Sequence, residues 1–276
     1  MLTGTRIAFI GGGNMAEALL AGLLRKGVAA AEHLTVGDPD GHRRELLAER
    51  FGVAVHADNR TAAQGAELVV FCVEPQVLDA VLDEVASSLQ SGPLVMSVAA
   101  GYPISRLQGH LKTATRLVRA MPNTPSTIGE GVTAVSLAPG LSSEDQDRTR
   151  CLFESVGKVV VVDERLMDAV TGLSGSGPAY VFAMIEALAD GGVLMGLPRA
   201  TAQVLAAQTL AGAARMVLEQ GTHPAVLKDR VASPGGTTIA GLSRLEQGRL
   251  RATLISAVTA AAQRSQELGQ EENHHL

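Results

Sequence analysis

Ile7-Ala8-Phe9-Ile10-Gly11-Gly12-Gly13-Asn14-Met15-Ala16 decides the fold of this chain. Four apolar residues with β-strand character run into Gly-x-Gly-x-x-Ala, and Met15–Lys26 then shows helical spacing. A strand, a glycine turn and a helix in that order form a phosphate cradle. Gly11 permits the tight turn, Gly13 lets the backbone approach a pyrophosphate, and Ala16 lets helix and strand pack closely. Gly12, Asn14 and Met15 complete the loop and the first helical turn. That turn offers free N–H groups and the positive end of the helix dipole to a phosphate. Residues 11–16 are therefore candidate contacts of a dinucleotide.

Working outward, short apolar runs alternate with amphipathic stretches. Strands are expected at Arg6–Ile10, Leu34–Gly37, Val53–Val55, Leu68–Val73, Leu94–Val98, before Ala120, at Gly131–Leu137 and at Lys158–Asp163. Leu68–Val73 is continuously apolar, and Leu94–Val98 is apolar but for Ser97, as suits strands buried on both faces of a parallel sheet. The alternation predicts a doubly wound α/β domain. The end of its second strand is where such folds meet the adenosine ribose. Asp38 stands there, and a carboxylate favours a 2′-hydroxyl over a 2′-phosphate. Two alternatives stay open: Asp38 as a turn or N-cap residue, and Arg43 or Arg44 as partners for a phosphate.

After Asp163 the strand pattern stops. Ala-rich helices are expected at Pro178–Met195, Pro198–Glu219, Pro224–Val231, Thr238–Glu246 and Leu250–Leu268, followed by a polar tail with His274 and His275. The predicted division is therefore a dinucleotide-binding domain at 1–163 and a helical domain at 164–276, within the size range of two modest domains. The 276 residues are 46% hydrophobic but only 3% aromatic, with no Trp, so the core must be aliphatic. A helical half of that composition has a marginal core of its own and is expected to bury its apolar faces against a second copy. A net charge of −5 argues against a nucleic-acid partner. Cys72 and Cys151 lack the spacing of a disulfide framework or zinc site, and no metal is expected. The longest apolar stretch, Gly177–Leu197, carries Glu186 and Asp190, which a membrane span rarely tolerates. The N-terminus lacks the layout of a signal peptide. A soluble, cytoplasmic protein is expected.

Three further segments carry chemistry: Ala120–Pro125 (AMPNTP), Gly172–Tyr180 (GLSGSGPAY) and Ala232–Thr238 (ASPGGTT). In the third, Pro234 stops one helix, two glycines expose backbone N–H groups, and Thr237 and Thr238 open the next helix. Such a start is either a carboxylate site or an ordinary capped helix. None of the three segments contains Cys, His or Lys. Covalent catalysis and strong general-base chemistry are thereby disfavoured. Hydride transfer to an already electrophilic C=N bond needs neither.

Arg119–Pro125 (RAMPNTP), Asp168–Phe182 (DAVTGLSGSGPAYVF), Ala187–Pro198 (ALADGGVLMGLP) and Val231–Ile239 (VASPGGTTI) together resemble the pyrroline-5-carboxylate reductases, over nearly the whole chain. The resemblance implies a Rossmann-type domain followed by an all-α dimerisation domain. It implies reduction of (S)-1-pyrroline-5-carboxylate to L-proline with NADPH or NADH, in a homodimer that can assemble further into a decamer. By the same resemblance Thr238 meets the ring nitrogen, while Ser233, Gly236 and Thr237 hold the carboxylate. Gly11–Ala16, Asn59, Cys72, Val73, Glu74, Pro75, Val98, Ala99 and Ala100 fall where the family contacts the dinucleotide, and Glu164 near the substrate. Two departures stand out. Glu74 occupies the place of a lysine usual in the family, and Asp38 that of a small or phosphate-suited residue. A β-hydroxyacid dehydrogenase would need a lysine after the glycine turn, and Pro178–Gly196 has none. Reduction of a related cyclic imine and non-catalytic dinucleotide sensing are the other readings.

Overall fold

The computed structural model describes residues 2–89, 92–111 and 116–271, with side chains to 269; His274 and His275 lie outside the described residues. The chain runs Ile7–Ile10 (β1), Asn14–Arg25 (α1), Leu34–Gly37 (β2), Gly41–Phe51 (α2), Ala54–His56 (β3), Asn59–Ala63 (α3), Leu68–Phe71 (β4) and Pro75–Val85 (α4). Leu94–Ser97 (β5), Ile104–His110 (α5), Leu117–Met121 (β6), Gly131–Leu137 (β7), Ser143–Glu154 (α6) and Gly157–Val161 (β8) complete the strands. Helices follow at Met167–Val170 (α7), Gly177–Leu194 (α8), Arg199–Gln220 (α9), Pro224–Val231 (α10), Thr237–Gln247 (α11) and Leu250–Glu271 (α12).

Among the described residues eight strands form one sheet, in the order β3-β2-β1-β4-β5-β6-β7-β8. Their alternating side chains feed two cores. Ile7 and Phe9 of β1 join Leu34, Val36, Leu68 and Val70 on one face; Ala8 and Ile10 join Val69, Phe71 and Val95 on the other. Successive strand residues point to opposite faces, so a strand covered on both sides must be apolar at every position. This accounts for the unbroken apolar runs at β1 and β4 and for Leu94–Met96 of β5, which ends on a buried Ser97.

The sheet departs from the parallel expectation at β7, which runs antiparallel to β6, with Val118 opposite Leu137 and Met121 opposite Ala134. The cause is the length of the connection. A parallel crossover takes about a dozen residues or more. Residues 122–130 are fewer and hold only a short 3₁₀ turn, Thr124–Ile128, ended by Gly129. Hydrophobicity carries no strand direction, so the reversal was not visible in the pattern.

By compactness the chain divides into Met1–Ser176 with Ala260–Leu276, and Gly177–Thr259. The first unit includes the end of α12. There Ser265 Oγ donates to Asp168 Oδ1 at 2.8 Å, and a Cβ at Gly269 would lie 2.7 Å from the Gly101 carbonyl. The second unit is helical throughout. Its own buried cluster is three alanines, Ala189, Ala202 and Ala206, with Ile185 and Val193 packed on them. Large apolar side chains remain outside that core: Phe182 is 61% exposed, Leu194 85%, Val204 68% and Ile255 67%. So extensive an apolar surface marks an association face. Among the described residues, no helix is long and apolar enough to cross a membrane.

Candidate active site

In the first unit the carboxyl ends of β1, β2 and β4 open on a common cleft of about 540 Å3. It lies where the strand order reverses, between β1 and β4, the usual ligand position in an open α/β sheet. Gly11, Gly13, Asp38, Asn59, Cys72, Val73 and Glu74 line it. Gly12, Asn14, Met15, Ala16, Pro75, Val98, Ala99 and Ala100 do not. Gly12 packs behind the loop, where a Cβ would meet Leu47 at 2.8 Å and Asp38 Oδ2 at 3.2 Å. Asn14, Met15 and Ala16 form the first turn of α1, with Ala16 wholly buried. Pro75 takes the first position of α4, where its missing N–H costs nothing. Ala99 is buried just beyond β5, its N–H donating to Ser97 Oγ.

The two outer glycines do different work. Gly11 has φ +92, and a Cβ there would stand 2.8 Å from Val73 Cγ1 and 3.0 Å from the Cys72 carbonyl. It closes the turn against the neighbouring strand's exit. Gly13, at φ −65, would meet nothing within 4 Å. Its missing side chain leaves open space at the mouth of α1, which no side chain caps. An uncapped helix start, bare backbone and a cleft at the switch point fit a dinucleotide pyrophosphate. Asn59 strengthens the fit: its Nδ2 donates to Glu84 at 2.9 Å, but its buried Oδ1 has no hydrogen-bond partner.

Asp38 is fixed by two backbone donors, Gly12 N–H to Oδ2 at 2.7 Å and Asp40 N–H to Oδ1 at 2.9 Å. The N-cap of α2 is Asp40, which accepts from His42 N–H. Asp38 therefore stands at the loop rather than capping the helix. Glu74 stands immediately before Pro75 at the start of α4, where a carboxylate suits the helix dipole. Burial pushes the Cys72 thiol up to about 12, so it is no thiolate nucleophile at neutral pH. Sequence reasoning missed Val77, Val81 and Glu84, which also line the cleft. They fall at i, i+4 and i+7 on α4, a single stripe, and that spacing was the available signal.

Two of the other chemical segments meet within the first unit. Asn123 Nδ2 donates to the Ser174 carbonyl at 3.1 Å, and its Oδ1 accepts from Val132 N–H at 2.9 Å. The Asn123 amide of the Ala120–Pro125 segment thus joins protein segments at both ends. The glycine-serine segment is not a turn: Thr171–Gly175 is a π-helical turn leading to α8. Glu164 accepts from Ile104 N–H at 2.6 Å and lies 3.7 Å from Arg119, whose other Nη is 3.7 Å from Asp168. Burial lowers the pKa of Arg119, while Asp168 and Glu164 oppose that shift.

The third segment lies in the second unit. Gly236, extended at ψ 176, is the N-cap of α11, and no side chain caps the helix. Gly236 N–H donates to the Ser233 carbonyl at 3.1 Å. A Cβ at Gly236 would overlap the Ser233 hydroxyl, which places that hydroxyl over the helix start. Thr237 and Thr238 form the first turn, Thr238 half-buried. The first-turn N–H groups with these hydroxyls make a donor-rich end suited to a carboxylate.

Residues 164–268 match the family model described as pyrroline-5-carboxylate reductase dimerisation. Residues 6–101 match NADP oxidoreductase coenzyme F420-dependent. The chain is 50% identical to pyrroline-5-carboxylate reductase of Synechocystis sp. over 96% of its own length and 98% of the relative's. It is 47% identical to that of Arabidopsis thaliana over 96% of each. The solved structure of a pyrroline-5-carboxylate reductase from Coxiella burnetii superposes with a TM-score of 0.90 at 37% identity, covering 96% of this chain and 98% of that one. The Plasmodium falciparum enzyme, solved with NADP bound, superposes at 0.86 and 31% identity, covering 96% and 98%. With its Rossmann-type cleft, its self-associating helical half and this likeness from end to end, the chain belongs to the pyrroline-5-carboxylate reductase family.

Proposed function

We propose that this chain reduces (S)-1-pyrroline-5-carboxylate to L-proline with NADH or NADPH, the final step of proline biosynthesis, in the cytoplasm. Residues 1–163 serve as the dinucleotide-binding domain and 164–276 as the dimerisation and substrate domain. The working unit is a homodimer, which further association can build into a decamer. The observation that carries the substrate assignment is the α11 start, left uncapped by side chains and overlaid by the Ser233 hydroxyl.

The substrate is a cyclic imine bearing one carboxylate. Ser233 Oγ, the Thr237 N–H and the bare backbone at Gly236 hold that carboxylate, and the helix dipole adds to the attraction. Thr238 Oγ1 holds the ring nitrogen and orients the C=N bond. Protonation of that nitrogen makes C5 more electrophilic. The bound reduced nicotinamide supplies the hydride that forms the C5–H bond. The C=N π electrons pass to nitrogen, and the iminium proton stays there as the amine proton of proline. Glu164 acts near the substrate through Arg119 and the start of α5, which it braces.

The test is a steady-state assay of the full-length protein with pyrroline-5-carboxylate, following nicotinamide absorbance and proline formation. Proline formed one-for-one with oxidised cofactor is the expected result. Binding of either nucleotide without substrate-dependent oxidation would refute catalysis and favour a dinucleotide sensor.

A further inference from the structure

We infer that the cofactor cleft is built for an adenosine ribose without a 2′-phosphate, so that the working reductant is NADH. The inference rests on the reductase reading above and adds which dinucleotide the cleft selects. Asp38 is held at the cleft wall by Gly12 N–H and Asp40 N–H. Each carboxylate oxygen has two acceptor sites, so capacity remains for a ribose hydroxyl.

The cations near the loop are already engaged. Arg43 donates through Nε to the Gly12 carbonyl and pairs through Nη2 with Glu17. Arg44 Nη1 donates to the carbonyls of Asp38, at 2.8 Å, and Pro39, at 2.9 Å. The Arg60 guanidinium forms two hydrogen bonds to Asp58, each 3.1 Å. Meanwhile Asp38, Glu74 and Glu84 line the cleft, and none of its described lining residues is Lys, Arg or His. A 2′-phosphate carries roughly −1.5 to −2 charges at neutral pH and is ordinarily met by an arginine. Here it would meet carboxylates, and drawing Arg43 across would cost the loop its Gly12 carbonyl bond.

The test is a direct binding titration of the full-length protein with NADH and with NADPH, by nicotinamide fluorescence or calorimetry. The wild-type chain should bind NADH at least about tenfold more tightly, the scale of one ordinary charge-assisted contact. Asp38→Asn keeps an oxygen for Gly12 N–H but removes the charge, and should narrow that ratio. Glu84→Gln keeps an acceptor for Asn59, leaves the glycine loop alone, and should narrow it by improving NADPH binding. Equal or tighter NADPH binding by the wild-type chain would overturn the inference while leaving the reductase reading intact. A ratio unchanged in both variants would overturn the role given to the carboxylates. Binding of neither nucleotide would overturn the dinucleotide reading itself.

Discussion

Replacing Gly11 or Gly13 with alanine adds the same methyl group to the same loop, yet the two substitutions should fail in different ways. At Gly11 the backbone is left-handed, φ +92, and the new Cβ would lie 2.8 Å from Val73 Cγ1 and 3.0 Å from the Cys72 carbonyl. Left-handed backbone costs an L-residue roughly 1–2 kcal/mol, and overpacking against backbone costs about 1–3 kcal/mol more. A loss of about 2–5 kcal/mol follows, a large share of the ~5–15 kcal/mol that holds a domain together. At Gly13 the backbone is right for alanine, φ −65, and the methyl meets nothing. The fold should lose at most about 1 kcal/mol, the helix-cap preference. The methyl then occupies the space a pyrophosphate needs. Urea unfolding at fixed protomer concentration, paired with dinucleotide titration, separates the two effects. Gly11→Ala should shift the midpoint strongly; Gly13→Ala should keep it and lose binding by more than tenfold. Equal stability losses, or Gly13→Ala binding as the wild type, would refute the division of labour between these glycines.

Three other expectations can be checked independently. Thr238→Ala should lower kcat/KM by about ten- to a hundredfold, the loss of ~1–3 kcal/mol of transition-state contact; wild-type kinetics would remove Thr238 from the mechanism. Hydrogen bonding from Arg116 holds buried Asp145 below its usual value of 3.8, against the upward pull of desolvation. A carboxyl with a lowered folded pKa stabilises above its unfolded value and loses that stabilisation as pH falls through the folded one. Urea midpoints should therefore drop below about pH 4, and Asp145→Asn should flatten that part of the profile. Val204, 68% exposed on α9, lies on the apolar surface of the helical unit. Val204→Glu should give a smaller particle by light scattering, and an unchanged mass would exclude Val204 from the association face.

The parts legible in the sequence were those governed by local rules. Glycine spacing between a strand and a helix fixed the cradle, and Pro198 and Pro224 opened their helices within a residue of where they lie. The direction of β7 was illegible because it depends on what the 122–130 connection can span. Asn123 lay in a segment read as chemical, but its partners, Val132 and Ser174, are distant enough in the chain that only the folded state pairs them. Glu84 was one charge among several on α4; it became a cleft residue only once Asn59 was placed beside it. Asp38 was ambiguous because a turn, a cap and a ribose contact share one sequence signature. The cap belongs to Asp40 and the Gly12 N–H to Asp38.

The docking of the last helical turns onto the first unit sets a timetable for folding. Asp168 and its hydroxyl partner Ser265 are 97 positions apart, and the Gly101 loop waits longer still for Gly269. A ribosome adding about 5–20 residues each second needs roughly 5–20 s to make the intervening chain. During that interval the nascent sheet can assemble, while the Arg119–Asp168 corner stays open to water and to chaperones. The sheet is thus translated well before the segment that closes its Asp168 corner, so synthesis of Ser265 gates that step.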